Sequence, residues 1–148
     1  MSEGDYLPSD YRADGKHLEA IFGTLEARTM NAIWGMRTPV RVREVYERLK
    51  RERKIAYTTV MSTMNTLYEK GLLDRKITKG RGGLLYVYWP KLSRQEIERS
   101  TVKKVIDSLI RNFGDSVSAY LVEMAASDDE RIIAFRKLFE SRLEKEKT

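Results

Sequence analysis

Thr58, Thr59, Ser62, Thr63 and Thr66 crowd short hydroxyl side chains into one stretch, with the phenol of Tyr57 immediately before them. Such groups both donate and accept hydrogen bonds at little cost in side-chain entropy. That is the chemistry needed to read base edges in a DNA major groove, where a threonine methyl can also pack on a thymine methyl. Long bases flank the stretch: Arg43, Arg51, Arg53 and Lys54 precede it, and Arg75, Lys76, Lys79 and Arg81 follow. Their chemistry is phosphate binding. Covalent or acid–base catalysis has no comparable constellation. The chain has no cysteine and one histidine, His17, and its acids are scattered, so no nucleophile–base pair stands out. Disulfides, thiolate chemistry and cysteine-ligated zinc or copper are excluded, and one imidazole makes no metal cluster. Neither a metal nor a cofactor is expected.

The elements that must position these groups can be read from periodicity. Val60, Met64, Leu67 and Tyr68 form one face of a helix that Gly71 stops. Packing that face on a core turns Thr59, Ser62, Thr63 and Thr66 outward, with Tyr57 and Thr58 at the helix N-terminus, where backbone N–H groups favour phosphate. A merely solvated face would more commonly use Glu, Lys and Gln, since Thr is a mediocre helix former. Upstream, "GTLEARTMNAIWGM" reads as a first helix with Thr24 as N-cap, Glu26 near its positive end, and Leu25, Met30, Ile33 and Trp34 inward. "RTPV" is a turn, because Pro39 forbids continuation. "RVREVYERLKRER" is a second short helix with Val42, Val45 and Leu49 at helical spacing. Downstream, "LLDRKIT" and "LLYVYW" flank "KGRGG", which predicts a β-hairpin with a basic tip. Three helices and a hairpin make a winged helix.

Beyond Leu92 the pattern is helical. "SRQE", with Ser93 and Glu96 at capping-box spacing, opens a stripe of Val102, Val105, Ile106, Leu109, Ile110 and Phe113. Gly114 interrupts it. "SVSAYLVEMA", carrying Tyr120 and Leu121, gives another short helix, and "SDDE" (Ser127, Glu130) is a second capping box before a helix bearing Phe135, Leu138 and Phe139. Three one-sided helices cannot enclose much by themselves, so pairing with a second chain is their natural outlet.

Charge points the same way. Residues 37–81 hold thirteen bases against five acids, a net +8, whereas residues 1–36 come to −3 and the whole chain to +6. A basic excess over a segment that contains a glycine-rich basic hairpin is the electrostatic footprint of a nucleic-acid binder. At 148 residues and 41% apolar content the chain fits one domain, or a small domain with an appendage. No apolar run approaches the roughly 18 residues of a membrane span. The acidic start lacks the basic flank and apolar stretch of a signal peptide, so a cytoplasmic protein is expected.

In this order, "MNAIW", "VREVYERL", "AYTTVMSTMNTLYEKGLL" and "YVYWP" resemble the penicillinase-repressor (BlaI/MecI) family of bacterial transcriptional repressors, over Leu25 to about Leu143. The resemblance implies a mostly helical fold with a small β-hairpin: a winged helix-turn-helix DNA-binding domain plus a C-terminal helical dimerisation region. It also implies a homodimer on a dyad-symmetric double-stranded operator. Residues 1–20 would be an acidic extension, 21–90 the DNA-binding domain and 91–148 the dimerisation domain. Tyr57, Thr58, Thr59, Ser62 and Thr63 fall on the recognition helix, and Asn112-Phe113 lies where repressors of this kind are cut on induction through a membrane sensor-protease. Two departures stand out: the acidic extension itself, and a hairpin longer and more basic than the family's compact wing. The paired cysteines of the family's copper-responsive branch are missing. A non-specific architectural DNA binder and a winged-helix protein-interaction module are the competing readings.

Overall fold

The computed structural model describes residues 21–147; His17 and the acidic extension lie outside them. Its elements run α1 (Thr24–Trp34), β1 (Val40–Arg41), α2 (Val42–Lys50), α3 (Tyr57–Glu69), β2 (Leu73–Gly80), β3 (Gly83–Pro90), α4 (Arg94–Ala126) and α5 (Glu130–Lys147). The fold is mostly helical, with a small antiparallel sheet in the order β1-β3-β2, as a winged helix requires.

Hydrophobic spacing builds the first three helices around one core. Met30 and Ile33 of α1, Val45 and Leu49 of α2, and Val60, Met64 and Leu67 of α3 meet Leu72, Leu73 and Tyr88 of the hairpin region, all essentially inaccessible. α1 is capped by Gly23 rather than Thr24, which becomes its first helical residue. The end of α3 is closed by a Schellman motif. Gly71 takes φ 80°, its N–H reaches the Tyr68 carbonyl at 3.0 Å, and the Leu72 N–H reaches Leu67 at 3.0 Å. Only glycine adopts that angle freely, so the chain turns from α3 into β2 within three residues.

The segment read as a plain turn after Pro39 adds a third strand to the predicted hairpin. Val40 pairs with Tyr88 and Arg41 with Val87. Arg41 then serves as N-cap of α2, its N–H donating to Glu44 Oε1 at 3.0 Å. β2 and β3 pair along their full length from Leu73↔Pro90 to Gly80↔Gly83.

Two compact units divide the chain within α4, one reaching Lys104 and the other starting at Val105. In the first, α4 is tied to α1: Trp34 Nε1 donates to the Leu92 carbonyl at 3.2 Å, Arg94 bonds Asn31, and Ile97 is buried. Ser93 Oγ accepts from the Glu96 N–H at 3.1 Å, the half of the predicted capping box that closes this helix start.

In the second unit α4 is broken by non-helical backbone at Phe113 (φ −138°, ψ 36°), one residue before the expected glycine. α5 starts from Asp129, not Ser127. Asp129 Oδ1 accepts from the Arg131 N–H at 2.8 Å, and Ser127 Oγ only supports it from the Asp129 N–H. That bond, with a second from the Ile132 backbone, holds the Asp129 carboxyl below its ordinary pKa. Arg136 Nη1 donates to the carbonyls of Met124 and Ala125, both at 2.9 Å, closing the C-terminal end of α4. Among the described residues no helix is long and apolar enough to cross a membrane.

Candidate nucleic-acid interface

α3 presents an open N-terminus. Its N-cap is Ala56, no side chain caps it, and no acid stands in its first turn, so the positive end of the helix is not neutralised internally. Tyr57, the first helical residue, packs edge-on against Tyr46 of α2 at 5.5 Å, and the Arg43 guanidinium lies 4.9 Å from its ring centre. Arg43 also stands 3.9 Å from Glu47, which Lys50 approaches to 2.7 Å. Arg51, Arg53 and Lys54 are exposed just ahead of the helix.

The burial of Val60, Met64 and Leu67 decides which side chains face out. Thr58, Thr59 and Ser62 are exposed and Thr66 is half-buried, its hydroxyl donating to the Ser62 carbonyl at 3.0 Å. Thr63 is a correction. It is only 8% exposed, and its hydroxyl donates to the Thr59 carbonyl at 2.8 Å, so it belongs to the packed side, with its one O–H already used within the helix. Sequence reasoning also missed Asn65 and Met61. Asn65 stands at i+7 from Thr58 and i+3 from Ser62, so with Glu69 it completes one outward stripe; counting that spacing from Thr58 would have found it.

Arg75 is a second correction. Expected as a phosphate clamp, it is half-buried and held between the rings of Tyr68 and Tyr86, 3.9 and 4.1 Å from their centres. Its Nη1 donates to Asn65 Oδ1 at 2.8 Å and to the Tyr88 hydroxyl at 3.4 Å. Desolvation works against its charge, and the bond to Tyr88 with the neighbouring phenols outweighs it, leaving the pKa above the ordinary arginine value. The other hairpin bases, Lys76, Lys79 and Arg81, are exposed.

The expected pairing surface lies on α4 and α5. Val102, Ile106, Leu109, Ile110, Phe113, Tyr120, Leu121, Phe135, Leu138 and Phe139 are all exposed, Val105 is half-buried, and no residue of α5 is buried. Phe135 and Phe139 stack at 6.5 Å. Leu121, Ile132, Phe135, Phe139 and Leu143 line an apolar groove of about 570 Å³ in the second unit. Asn112 is exposed beside the break at Phe113. Among the described residues no group of three or more His, Asp or Glu side chains is placed to hold a metal.

A family model described as penicillinase repressor matches residues 22–138. Two relatives named transcriptional regulator BlaI, from Mycobacterium tuberculosis strains CDC 1551 / Oshkosh and ATCC 25618 / H37Rv, are each 41% identical over 51 residues. That match spans 34% of this chain and 37% of theirs, so it extends over about a third of the curated relatives' length. Among solved structures, a possible transcriptional regulator from Methanosarcina mazei Go1 is similar with a TM-score of 0.49 and 19% identity, covering 67% of this chain and 79% of that one.

Proposed function

The chain belongs to the penicillinase-repressor family, and from that premise we propose that it is a cytoplasmic, sequence-specific transcriptional repressor that binds a dyad-symmetric operator as a homodimer. The observation that carries this reading is the outward stripe of α3, Thr58, Ser62 and Asn65, beside an uncapped helix N-terminus and exposed bases on both sides. Short polar groups read base edges; Arg43, Arg53, Lys54, Lys76, Lys79 and Arg81 take phosphates. A binding module, and not an enzyme, is what such a surface serves.

The homodimer is supported by the apolar side chains that α4 and α5 leave in water, a larger exposed set than a monomer usually carries. Two subunits so joined place their reading helices on half-sites about one helical turn apart. Inactivation by a membrane sensor-protease system, cutting at Asn112-Phe113, is supported by the non-helical backbone there, because a protease needs a locally opened chain. The cut would leave each DNA-binding half its phosphate contacts while removing the avidity of two joined half-sites.

Selection of bound sequences from a random duplex pool, with sedimentation analysis of the same preparation, tests the proposal. A dyad motif and a dimer are expected. Binding without sequence preference would favour an architectural protein, and a monomer at tens of micromolar would sink the dimeric reading.

A further inference from the structure

The β2–β3 hairpin is a ribbon with two unlike faces. β1 pairs with β3 at Val87 and Tyr88, near the root, so from Ile77 and Tyr86 to the turn the ribbon is two-stranded. On one face Leu85 folds over Gly80, where an added Cβ would meet Leu85 Cδ2 at 2.2 Å; glycine leaves the room that leucine uses. That face closes on itself. The other carries the cross-strand pairs Ile77–Tyr86 and Lys79–Leu84, and its apolar members stay in water: Leu84 is 72% exposed, Ile77 58% and Tyr86 41%.

Two strands leave most of Leu84 and more than half of Ile77 in water in the free protein, while Tyr86 is partly covered by Arg75. What surrounds the patch identifies its occupant. Lys79 stands directly opposite Leu84, Arg81 occupies the turn, and Asp74, at the root, is the hairpin's one acid. Cations beside an apolar wedge match a DNA minor groove, whose phosphate-lined walls attract the charge while an aliphatic side chain enters between base pairs and partly unstacks them. The patch is also continuous with α3, because Arg75, on the same face nearer the root, stacks on Tyr68.

We propose that this hairpin is a minor-groove wedge: Leu84, backed by Ile77 and Tyr86, enters the groove beside the site read by α3 and bends the duplex, with Lys79 and Arg81 on the flanking phosphates. The proposal rests on the DNA-binding reading and adds a deformation to it. It carries a specificity of its own, a preference for an easily opened pyrimidine–purine step such as TA or CA at a position no polar side chain reads.

Energy transfer between dyes on the two ends of a duplex holding the selected site, measured with the full chain, tests it. The wild-type protein is expected to bring the ends together by a kink within about 20–90°. Leu84→Ser should leave the duplex nearly straight and weaken binding by about tenfold, while Leu84→Met keeps the bend; circular dichroism checks that both variants fold. Replacing the flexible step with a stiff one should weaken the wild type and leave Leu84→Ser unaffected. An unchanged bend in Leu84→Ser, or a straight duplex under bound wild-type protein, would overturn the wedge and leave the DNA-binding reading standing. No binding by the wild type would overturn both. A smaller sedimenting mass for Leu84→Ser with the bend intact would assign this face to a second copy of the chain and overturn the wedge.

Discussion

Arg75 donates to Asn65 Oδ1 at 2.8 Å, and Asn65 Nδ2 in turn donates to Glu69 Oε1 at 3.2 Å. A guanidinium can only donate and a carboxylate can only accept, so the Asn65 amide has one orientation, oxygen toward the wing and NH₂ toward Glu69. The root of the hairpin therefore sets how a side chain on the outward stripe of α3 is presented. α3 and the hairpin are joined through a side chain as well as through the turn at Gly71.

Arg75→Ala should release that amide, changing base preference at one position of the selected site while leaving the salt dependence of binding unaltered. Arg75→Lys should do the same, since an ammonium lacks the planar group that two tyrosine rings enclose. Arg81→Ala should instead weaken all sequences alike and lower the salt slope by about one unit. Competition titrations at several salt concentrations separate the two behaviours; a lowered slope for Arg75→Ala would return it to the phosphate contacts.

Thr59→Ala and Asn65→Ala are each expected to cost about 1–3 kcal/mol of binding to the best site. Thr63→Ala should act on folding, lowering stability by about 1 kcal/mol through the lost packing and hydrogen bond, with base preference intact. Denaturant midpoints measured beside binding curves decide between these roles.

What was legible in the sequence, and what was not, follows from the range of the interactions involved. The inner face of α3 is a local pattern, so Val60, Met64, Leu67 and the stop at Gly71 could be read directly, as could the apolar stripe of α4. Thr63 lies at the edge between the inner and outer stripes, where periodicity alone does not decide; the packing of α3 does. β1 is two residues long and shows no alternation, and its pairing with β3 is a tertiary event. Ser127 and Asp129 are both good capping residues two positions apart, and the chain path chooses the second. No spacing rule indicates that Arg75 will find Tyr68 and Tyr86, because the hairpin brings those rings together only after it packs on α3.

Phe139→Asp, on the exposed apolar side of α5, should convert a dimer to a monomer by sedimentation and lower operator affinity by about 10²–10⁴-fold, the avidity lost with the second half-site. The effect of Leu109→Asp on α4 should be similar. A dimer that survives both changes would place the subunit contact elsewhere.

Asp129 gives α5 a pH dependence with a definite sign. Its carboxyl is depressed chiefly by the Arg131 N–H bond, so the stability it contributes is present above the unfolded aspartate pKa and is lost as pH falls through the lower folded value. The Arg131 amide resonance of the full chain should therefore move in acid, below the usual aspartate range. Asp129→Asn should keep the helix start at neutral pH and abolish the titration, whereas Asp129→Ala should lose both. A resonance that titrates unchanged in Asp129→Asn would exclude this carboxyl as its origin.

Arg41 belongs to two elements at once, opposite Val87 in the sheet and at the N-cap of α2. No slack separates the hairpin root from that helix. A tug on the ribbon is then resisted in shear by the Val40–Arg41 pairing and passed straight to the bond between Arg41 and Glu44, much as a lever is braced at its fulcrum. Pulled by its hairpin tip, the first unit should yield at this brace before its helical core gives way, and Glu44→Ala should lower the force at which it does.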